Sequence, residues 1–203
     1  PASVVCIGTF DGVHLGHQAV VREAVRSANH RHMPCLVLTF DHHPAQTLAP
    51  DKAPKAIASL DENLSLFDSL GAALTVVLRF DKALSETRAE EFLENVLLLR
   101  MRAKSLVLGH DFAFGKGREG TPQWLSQRIE TTVIPPFEME GKRVSSTGIR
   151  VAIQNPPPIR IGGQLTSAQY QYTLQGSDLE ELYSWSNQFL QRFRRIDGLT
   201  DVT

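Results

Sequence analysis

Residues 4–18 read VVCIGTFDGVHLGHQ, and this stretch decides the fold of the chain. The apolar run Val4–Gly8 predicts a short buried strand, and Gly16–Ala28 carries apolar residues on one face of a predicted helix. A buried strand that passes through a glycine-containing turn directly into a helix is typical of α/β proteins. The stretch therefore predicts a parallel sheet flanked by helices.

The same alternation of strand and helix signals continues along the chain to residue 134. Further apolar strands are predicted at Cys35–Phe40, Ala73–Leu78, Ser105–Gly109 and Thr131–Ile134. Helix starts are indicated by two capping boxes, Ser59 with Glu62 and Thr87 with Glu90, and by Thr121-Pro122. Continuous apolar strands that alternate with helices predict an α/β fold with a doubly wound parallel sheet. Ligands of such sheets bind beyond the carboxyl ends of the strands.

The composition is that of an ordinary folded domain and excludes several classes of protein. Of 203 residues, 42% are hydrophobic, and 21 Lys and Arg against 22 Asp and Glu leave a formal net charge of −1. A disordered chain has lower hydrophobicity and higher net charge, and a protein that binds nucleic acid by bulk charge needs an excess of cations. No apolar run approaches the ~18 residues of a membrane helix. We therefore expect a cytoplasmic protein with neither nucleic-acid nor membrane partners.

The composition changes at Pro156-Pro157-Pro158, where we predict a boundary between two modules. All histidines and lysines precede this triplet, and all tyrosines follow it. Because three prolines remove three backbone donors and favour an extended chain, no helix or strand is expected to cross the triplet. The predicted modules are residues 1–154 and 155–203, and the second carries signals for a short β-α-β unit.

The turn in the opening stretch has the properties of a phosphate-binding site. A turn that ends at a helix N-terminus presents free N–H groups and the positive end of the helix dipole, which attract anions. Gly12 and Gly16 allow a ligand to approach the backbone closely, and both imidazoles of His14 and His17 can donate to phosphate oxygens. Zinc binding by this pair is less favoured, since no third or fourth ligand has the spacing of a structural zinc site. The plain alternative is a surface turn whose histidines have no function.

Four segments resemble motifs of known enzymes. The H-x-G-H pattern at 14–17 is similar to the signature of the nucleotidylyltransferase superfamily. GTFDGVHLGHQ at 8–18 resembles bacterial FAD synthetases, the bifunctional riboflavin kinase/FMN adenylyltransferases. FDHHP at 40–44, LGHDFAFGKGREG at 108–120 and RVSSTGIR at 143–150 resemble three further motifs of that family in the same order. The resemblance covers residues 1–154 and implies a nucleotidylyltransferase domain of Rossmann-like type.

The resemblance also implies an activity and a set of site residues. The activity is transfer of the adenylyl group of ATP to FMN, which gives FAD and pyrophosphate, with ATP and FMN as substrates and Mg²⁺ as cofactor. The implied catalytic residues are His14, His17, Arg143, Ser146 and Thr147. The implied ATP-binding residues are Gly8, Phe10, Asp11, Gly16, His17, Gly109, Asp111, Phe112 and Arg150. The implied flavin-binding residues are Phe40, Asp41, His43 and Phe114, and no residue is assigned to the metal.

Several of these residues also have plain structural interpretations. Ser146 and Thr147 precede an apolar-periodic stretch, so each could act only as a helix cap. Phe112 and Phe114 alternate in a glycine-rich loop, where their rings could anchor the loop in the core instead of stacking on a ligand. Asp111 could brace the glycine turn rather than accept a hydrogen bond from a nucleotide.

Residues 155–203 resemble a fragment of the periplasmic porter domain of resistance-nodulation-division efflux pumps. They lack the phosphate-binding signature of the family's riboflavin kinase module, so we expect no kinase activity. Two alternatives to FAD synthesis stay open. One is a related nucleotidylyltransferase with another acceptor, such as phosphopantetheine or glycerol phosphate. The other is a catalytically inactive chimeric or truncated chain that includes a transporter fragment.

Overall fold

The fold is known from a computed structural model that describes residues 2–154. Its strands are β1 (Ser3–Ile7), β2 (Cys35–Phe40), β3 (Leu74–Leu78), β4 (Ala103–Gly109) and β5 (Glu130–Ile134). They form one five-stranded, all-parallel sheet in the order β3-β2-β1-β4-β5. The predicted doubly wound parallel sheet is confirmed, and β2 has the predicted bounds. The module boundary and the β-α-β unit predicted for residues 155–203 lie outside the described residues.

Helices connect the strands and pack on both faces of the sheet. They are α1 (Leu15–His30), α2 (Ala45–Leu48), α3 (Leu60–Ser69), α4 (Lys82–Glu86), α5 (Ala89–Phe92), α6 (Pro122–Ser126) and α7 (Ser146–Gln154). The chain continues from α5 as a π-helix over Leu93–Arg100, and a hairpin of two short strands, β6 (Glu138–Met139) and β7 (Lys142–Arg143), precedes α7. Within residues 2–154, no helix is both long enough and apolar enough to cross a membrane.

β1 is buried along its whole length, and its alternating side chains serve two separate cores. Val5 and Ile7 pack on one face of the sheet, together with Leu106 of β4. Val4 and Cys6 pack on the other face, against residues of α1. Because successive side chains of a strand point to opposite faces, a strand covered by helices on both sides is apolar at every position. The apolar run Val4–Ile7 of β1 therefore follows from its place at the centre of the sheet.

The capping box predicted at Ser59 is present, whereas the one predicted at Thr87 is absent and that prediction is wrong. At the start of α3, Ser59 Oγ accepts from the Glu62 amide at 3.3 Å, and the Glu62 carboxylate accepts from the Ser59 amide at 2.7 Å. Thr87 instead ends α4, and its hydroxyl donates back into that helix. The Ala89 amide, at the start of α5, donates to the Glu119 carboxylate at 2.9 Å. A carboxylate from a distant loop has therefore taken the place of the local cap.

The winding of the sheet reverses between β1 and β4, which are neighbours. On one side of this point the chain continues outward through β2 and β3, and on the other side β4 is followed by β5. A crevice forms at such a reversal, outside the carboxyl ends of the strands, because the connections on either side leave in opposite directions. The turns after β1 and β4, at Gly8 and Gly109, both line a cavity at this point. The topology thus positions the candidate site.

Leu106 tests the contribution of the central strands, because its side chain is fully buried in β4. Truncation removes buried methyl groups and leaves a cavity, so Leu106→Ala is expected to lower the free energy of unfolding by about 3 kcal/mol. Leu99→Ala is the control, because Leu99 is exposed on the π-helix, and its effect should stay within about 0.5 kcal/mol. Urea denaturation measures both values, and equal losses would contradict the described core.

Candidate functional site

Two adjoining cavities lie at the carboxyl ends of β1, β2 and β4. The first, called the aromatic cavity, has a volume of about 630 Å³, and its lining includes the rings of Phe10, Phe40, Phe80, Phe92, Phe112 and Phe114. The second, called the histidine cavity, has a volume of about 460 Å³ and is lined by both His14 and His17. The two cavities share a wall that includes His17, Asp111 and Ser146. Two ligands bound side by side would therefore meet at these three residues.

Most residues predicted for the site line one of the two cavities. The predicted residues that line only the aromatic cavity are Gly8, Phe10, Asp11, Phe40, His43, Phe112 and Phe114. Those that line only the histidine cavity are His14, Gly16, Arg143 and Thr147. Both cavities are lined by His17, Gly109, Asp111 and Ser146. Asp41 and Arg150 line neither of them.

The bend between β1 and α1 is rigid because its apolar residues are packed into the core. Phe10 and Val13 are buried although they have positive φ values of 49° and 34°. Bulky side chains adopt this conformation only where the surrounding packing imposes it. Gly12 has a φ of 77°, and a Cβ atom there would lie 2.6 Å from Ile57 Cγ2, so the position requires glycine. The bend therefore holds its backbone in one shape beside the aromatic cavity.

His14 and His17 face each other at the start of α1. His14 caps the helix, because its Nδ1 accepts from the His17 amide at 3.3 Å. The two rings stack with their centroids 3.6 Å apart and their planes 18° apart. The Phe10 ring meets the His17 ring edge-on, with 5.4 Å between the centroids. These contacts fix both imidazoles at the end of α1 that borders the histidine cavity.

Both imidazoles are neutral at pH 7. Burial lowers the pKa of His14 below its ordinary value, and burial together with repulsion from His14 lowers the pKa of His17 to about 3. Because His14 Nδ1 accepts a hydrogen bond, its proton lies on Nε2, which can donate to a ligand. The pair thus offers N–H donors rather than positive charge. Attraction of an anion must come from the helix N-terminus and from nearby cations.

Asp11 joins three segments around the bend. One oxygen of its carboxylate accepts from the Ile57 amide at 2.8 Å, and the other is paired with the guanidinium of Arg150 on α7. Arg150 Nε also donates to the Lys55 carbonyl at 2.8 Å, and Ser146 Oγ donates to the Asp11 carbonyl at 3.1 Å. Both charged side chains are largely buried. Arg150 therefore ties α7 to the bend, which explains why it does not line a cavity.

Arg143 and Asp111 form an ion pair between β7 and the loop that follows β4. Their Nη2 and Oδ2 atoms are 2.5 Å apart, and Arg118 donates to the Asp111 carbonyl at 3.1 Å. Partial burial raises the pKa of Asp111, but the hydrogen bond from Arg143 and the charges of His110 and Arg143 outweigh it, so this pKa lies below its ordinary value. Asp111 is therefore ionised at pH 7, and Arg143 is a cation in the wall of the histidine cavity.

The start of α7 contributes two hydroxyls to the site, because a neighbouring serine supplies the helix cap. Ser145 Oγ accepts from the Gly148 amide at 3.1 Å, so the interpretation of Ser146 and Thr147 as caps is wrong. Thr147 lines the histidine cavity, and Ser146 lines both cavities. Hydroxyls and free amides in the first turn of a helix are the donors that a phosphate group needs.

The family of the chain follows from comparison with known proteins. The profile of the family FAD synthetase matches residues 1–148, which include the bend, the loop after β4 and the start of α7. The chain belongs to the FAD synthetase family.

Individual relatives agree with this assignment. The bifunctional riboflavin kinase/FMN adenylyltransferase of Escherichia coli (strain K12) is 34% identical over 155 residues, which cover 74% of this chain and 50% of the relative. The protein of the same name from Bacillus subtilis (strain 168) is 32% identical over 158 residues, which cover 75% and 50%. The crystal structure of Macrolide-efflux Protein from Streptococcus pneumoniae matches with a TM-score of 0.66 and 32% identity, over 75% of this chain and 51% of that chain. The chain spans about half the length of these relatives.

The comparisons give no support to the porter resemblance of residues 155–203, which also lie outside the described residues. The match of the family model itself ends at residue 148, before the proline triplet. The predicted second module is therefore still a prediction from sequence.

A metal ion at this site would have to take most of its ligands from a bound phosphate compound and from water. Within residues 2–154, no group of three or more His, Cys, Asp or Glu side chains is arranged to hold a metal ion. Mg²⁺ in phosphate-transfer enzymes is usually bound by one or two carboxylates together with phosphate oxygens and water. Asp111 is ionised and lies in the wall of both cavities, so its carboxylate is the one best placed to take part.

Some site predictions differ from what the structure shows. Asp41, expected at the flavin, accepts from the Phe80 amide at 2.9 Å and lies 2.7 Å from His42 Nδ1. Asp41 therefore supports the turn after β2. Cavity residues that sequence reasoning missed are Phe80, Leu84, Thr87, Phe92, Pro135 and Phe137. Phe80 had a usable signal, because it stands just beyond the carboxyl end of β3. Thr87 was noticed only as a helix cap, and the other four belong to no motif that points to a ligand.

The lowered pKa values of His14 and His17 predict that the protein loses stability in acid. Below pH 6.5, the ordinary histidine value, the unfolded chain takes up protons at both positions, whereas the folded chain takes them up only at lower pH, and at His17 only near pH 3. Stability therefore falls as the pH falls, and His17 alone contributes about 1.4 kcal/mol per pH unit. His17→Asn removes one of the two groups. Between pH 7 and pH 5, the free energy of unfolding of this variant should therefore fall by about 2 kcal/mol less than that of the wild type.

Urea denaturation at the two pH values measures this difference. His30→Asn is the matched control, because His30 is exposed at the end of α1, and it should keep the wild-type pH dependence. A wild-type pH dependence in His17→Asn as well would contradict a neutral, buried imidazole at His17.

Proposed function

We propose that this chain is an FMN adenylyltransferase, which transfers the adenylyl group of ATP to the phosphate of FMN and releases pyrophosphate. The observation that carries the proposal is the pair of adjoining cavities with a common wall at His17, Asp111 and Ser146. A transfer between two bound substrates needs two sites that meet where the phosphates meet. The names of the relatives and the match to the FAD synthetase family support the same reaction.

The histidine cavity suits the triphosphate of ATP. It combines the N–H donors of His14 and His17, the hydroxyl of Thr147 and the guanidinium of Arg143, while Ser146 lines the wall with its hydroxyl donated to the Asp11 carbonyl. The N-terminal turns of α1 and α7 add free amides with the positive ends of two helix dipoles. This set consists of donors and one cation, and it holds phosphate oxygens without offering a nucleophile that could attack them.

The aromatic cavity suits the flat ring system of FMN. Its rings come from β2, from the segment after β3 and from the loop after β4, so they surround the space from several sides. Its volume of about 630 Å³ lies within the ~300–1,000 Å³ of typical small-molecule sites. An aromatic wall favours a planar acceptor over the flexible chain of phosphopantetheine or the small glycerol phosphate. Phe112 lines the aromatic cavity but not the histidine cavity. We therefore propose that it contacts the flavin and not ATP.

The reaction needs alignment and charge stabilisation rather than a covalent enzyme intermediate. An oxygen of the FMN phosphate attacks the α-phosphorus of ATP, and the bond to the leaving pyrophosphate breaks in line with the new bond. Neutral imidazole N–H groups, hydroxyls and helix amides stabilise the charge that spreads over the phosphoryl oxygens. Mg²⁺ bound with the triphosphate would supply further charge neutralisation. The dependence on Mg²⁺ and a cytoplasmic location belong to the same proposal.

His14→Ala tests the proposed role of the imidazoles. Loss of one positioned donor is expected to remove about 2 kcal/mol or more of transition-state stabilisation, a decrease of about thirtyfold in kcat/KM. FAD formation from ATP, Mg²⁺ and FMN, followed by HPLC, measures the rate. His30→Ala, at the exposed end of the same helix, should leave the rate unchanged.

Three results would count against the proposal. Equal rates for His14→Ala and the wild type would remove the imidazole from the mechanism. Release of pyrophosphate with phosphopantetheine or glycerol phosphate but not with FMN would assign a different acceptor. A wild-type chain whose melting temperature rises with ATP but which releases no pyrophosphate would be a nucleotide-binding protein without activity.

A further inference from the structure

The loop of residues 112–120, called the strap, forms one wall of the aromatic cavity. Residues 112–118 of the strap line this cavity. A pair of backbone hydrogen bonds between Phe114 and Gly120, at 3.2 and 3.0 Å, closes most of the strap into a loop. Arg118 ties this loop to the Asp111 carbonyl, and its other contacts are with the neighbouring helices.

The strap docks on the junction between α4 and α5. The Lys116 amide donates to the Thr87 carbonyl at 2.8 Å, and the Lys116 ammonium lies 2.6 Å from the Glu86 carboxylate. The latter pair is exposed, and exposed ion pairs contribute little. Gly115 has a φ of 74°, and a Cβ atom there would lie 2.6 Å from the Ala89 nitrogen, so the two backbones are in direct contact. The docking leaves no room for a side chain at Gly115.

Glu119 completes this docking from outside the cavity. Its Oε1 accepts from the Ala89 amide at 2.9 Å, although Glu119 does not line either cavity. The first amides of a helix have no partner within the helix and need an acceptor from elsewhere. Thr87 is not that acceptor: its hydroxyl lies back on α4, where it donates to the Ala83 carbonyl, and the Ala89 amide donates to Glu119 instead. The start of α5 and the docking of the strap are therefore stabilised by the same hydrogen bond.

The two segments that Glu119 joins carry rings that pack together in one wall of the aromatic cavity. Phe92 of α5 and Phe114 of the strap are 5.2 Å apart between centroids, and Phe112 stacks on Phe114 at 6.0 Å. All three rings line the cavity. A shift of the strap relative to α5 would therefore separate these rings and change the shape of the wall on which a planar ligand must fit.

We propose that Glu119 is a positioning residue that sets the flavin affinity of the aromatic cavity by holding the strap against α5. This inference rests on the proposed function, because it takes FMN as the occupant of that cavity. A carboxylate that only stabilised the fold would lower the melting temperature without distinguishing between the two substrates. A carboxylate that positions the strap affects FMN and leaves ATP, in the neighbouring cavity, bound as before.

The test is equilibrium binding of FMN and of ATP to the full chain and to Glu119→Ala. Loss of a helix cap typically changes an equilibrium by about fivefold, so the Kd for FMN is expected to rise about fivefold while the Kd for ATP stays at the wild-type value. Quenching of flavin fluorescence measures the first Kd and calorimetry the second. Glu119→Gln keeps a carbonyl oxygen that can accept from Ala89, so it should restore most of the FMN affinity.

Glu62→Ala is the matched control. Glu62 also accepts from a backbone amide at a helix start, that of α3, but no residue of α3 lines either cavity. Its loss should lower the melting temperature without changing either Kd. Gly115→Ala is the second variant if Glu119→Ala does not fold. It keeps Glu119 but forces a Cβ atom against Ala89, and it should weaken FMN binding in the same direction.

The outcomes separate this inference from the proposed function. An unchanged FMN affinity in Glu119→Ala and Gly115→Ala, or an equal loss for FMN and ATP, would overturn the inference while FAD synthesis by the wild type stands. A wild-type chain that neither binds FMN nor forms FAD would overturn the proposed function, and the inference with it.

Discussion

The ion pair between Asp11 and Arg150 is the contact on which the candidate site depends. It brings together the bend after β1, the segment at Lys55 and Ile57, and helix α7. These parts are far apart in sequence, yet the bend leads directly into the two imidazoles at the start of α1, and α7 carries the hydroxyls that line the histidine cavity. Breaking a largely buried pair leaves one charge without its partner, which is costly. The pair therefore fixes the distance between the two groups of phosphate donors.

The electrostatics of the site follow from burial. The stacked imidazoles are neutral, Arg143 is paired with Asp111, and Arg150 is paired with Asp11. The site therefore recognises phosphate mainly through directed N–H and O–H donors and through helix N-termini, with little uncompensated positive charge. Donors held in place beforehand need no reorganisation when charge develops in a transition state. The same burial that keeps the imidazoles neutral also makes the fold sensitive to acid.

The sequence predicted those features that depend on neighbouring residues. The five strands, the capping box at Ser59 and the bend that passes directly from β1 into α1 all follow from local patterns. The interpretations that failed concern contacts between distant segments. Thr87 lost its predicted capping role because Glu119 takes that place, and Asp41 turns to the Phe80 amide instead of to a cavity. No local spacing encodes which distant carboxylate reaches a given amide, since that depends on how the loops pack.

A double-mutant cycle on Asp11 and Arg150 tests the central claim most directly. The rate of FAD formation would be measured for Asp11→Asn, Arg150→Gln and the double variant. If the two side chains act through each other, both single variants lose activity and the double variant loses little more, with a coupling energy of about 1 kcal/mol or more. Additive losses would contradict the account, as would full activity in Asp11→Asn beside inactivity in Arg150→Gln. The latter result would mean that Arg150 acts on a ligand and not through Asp11.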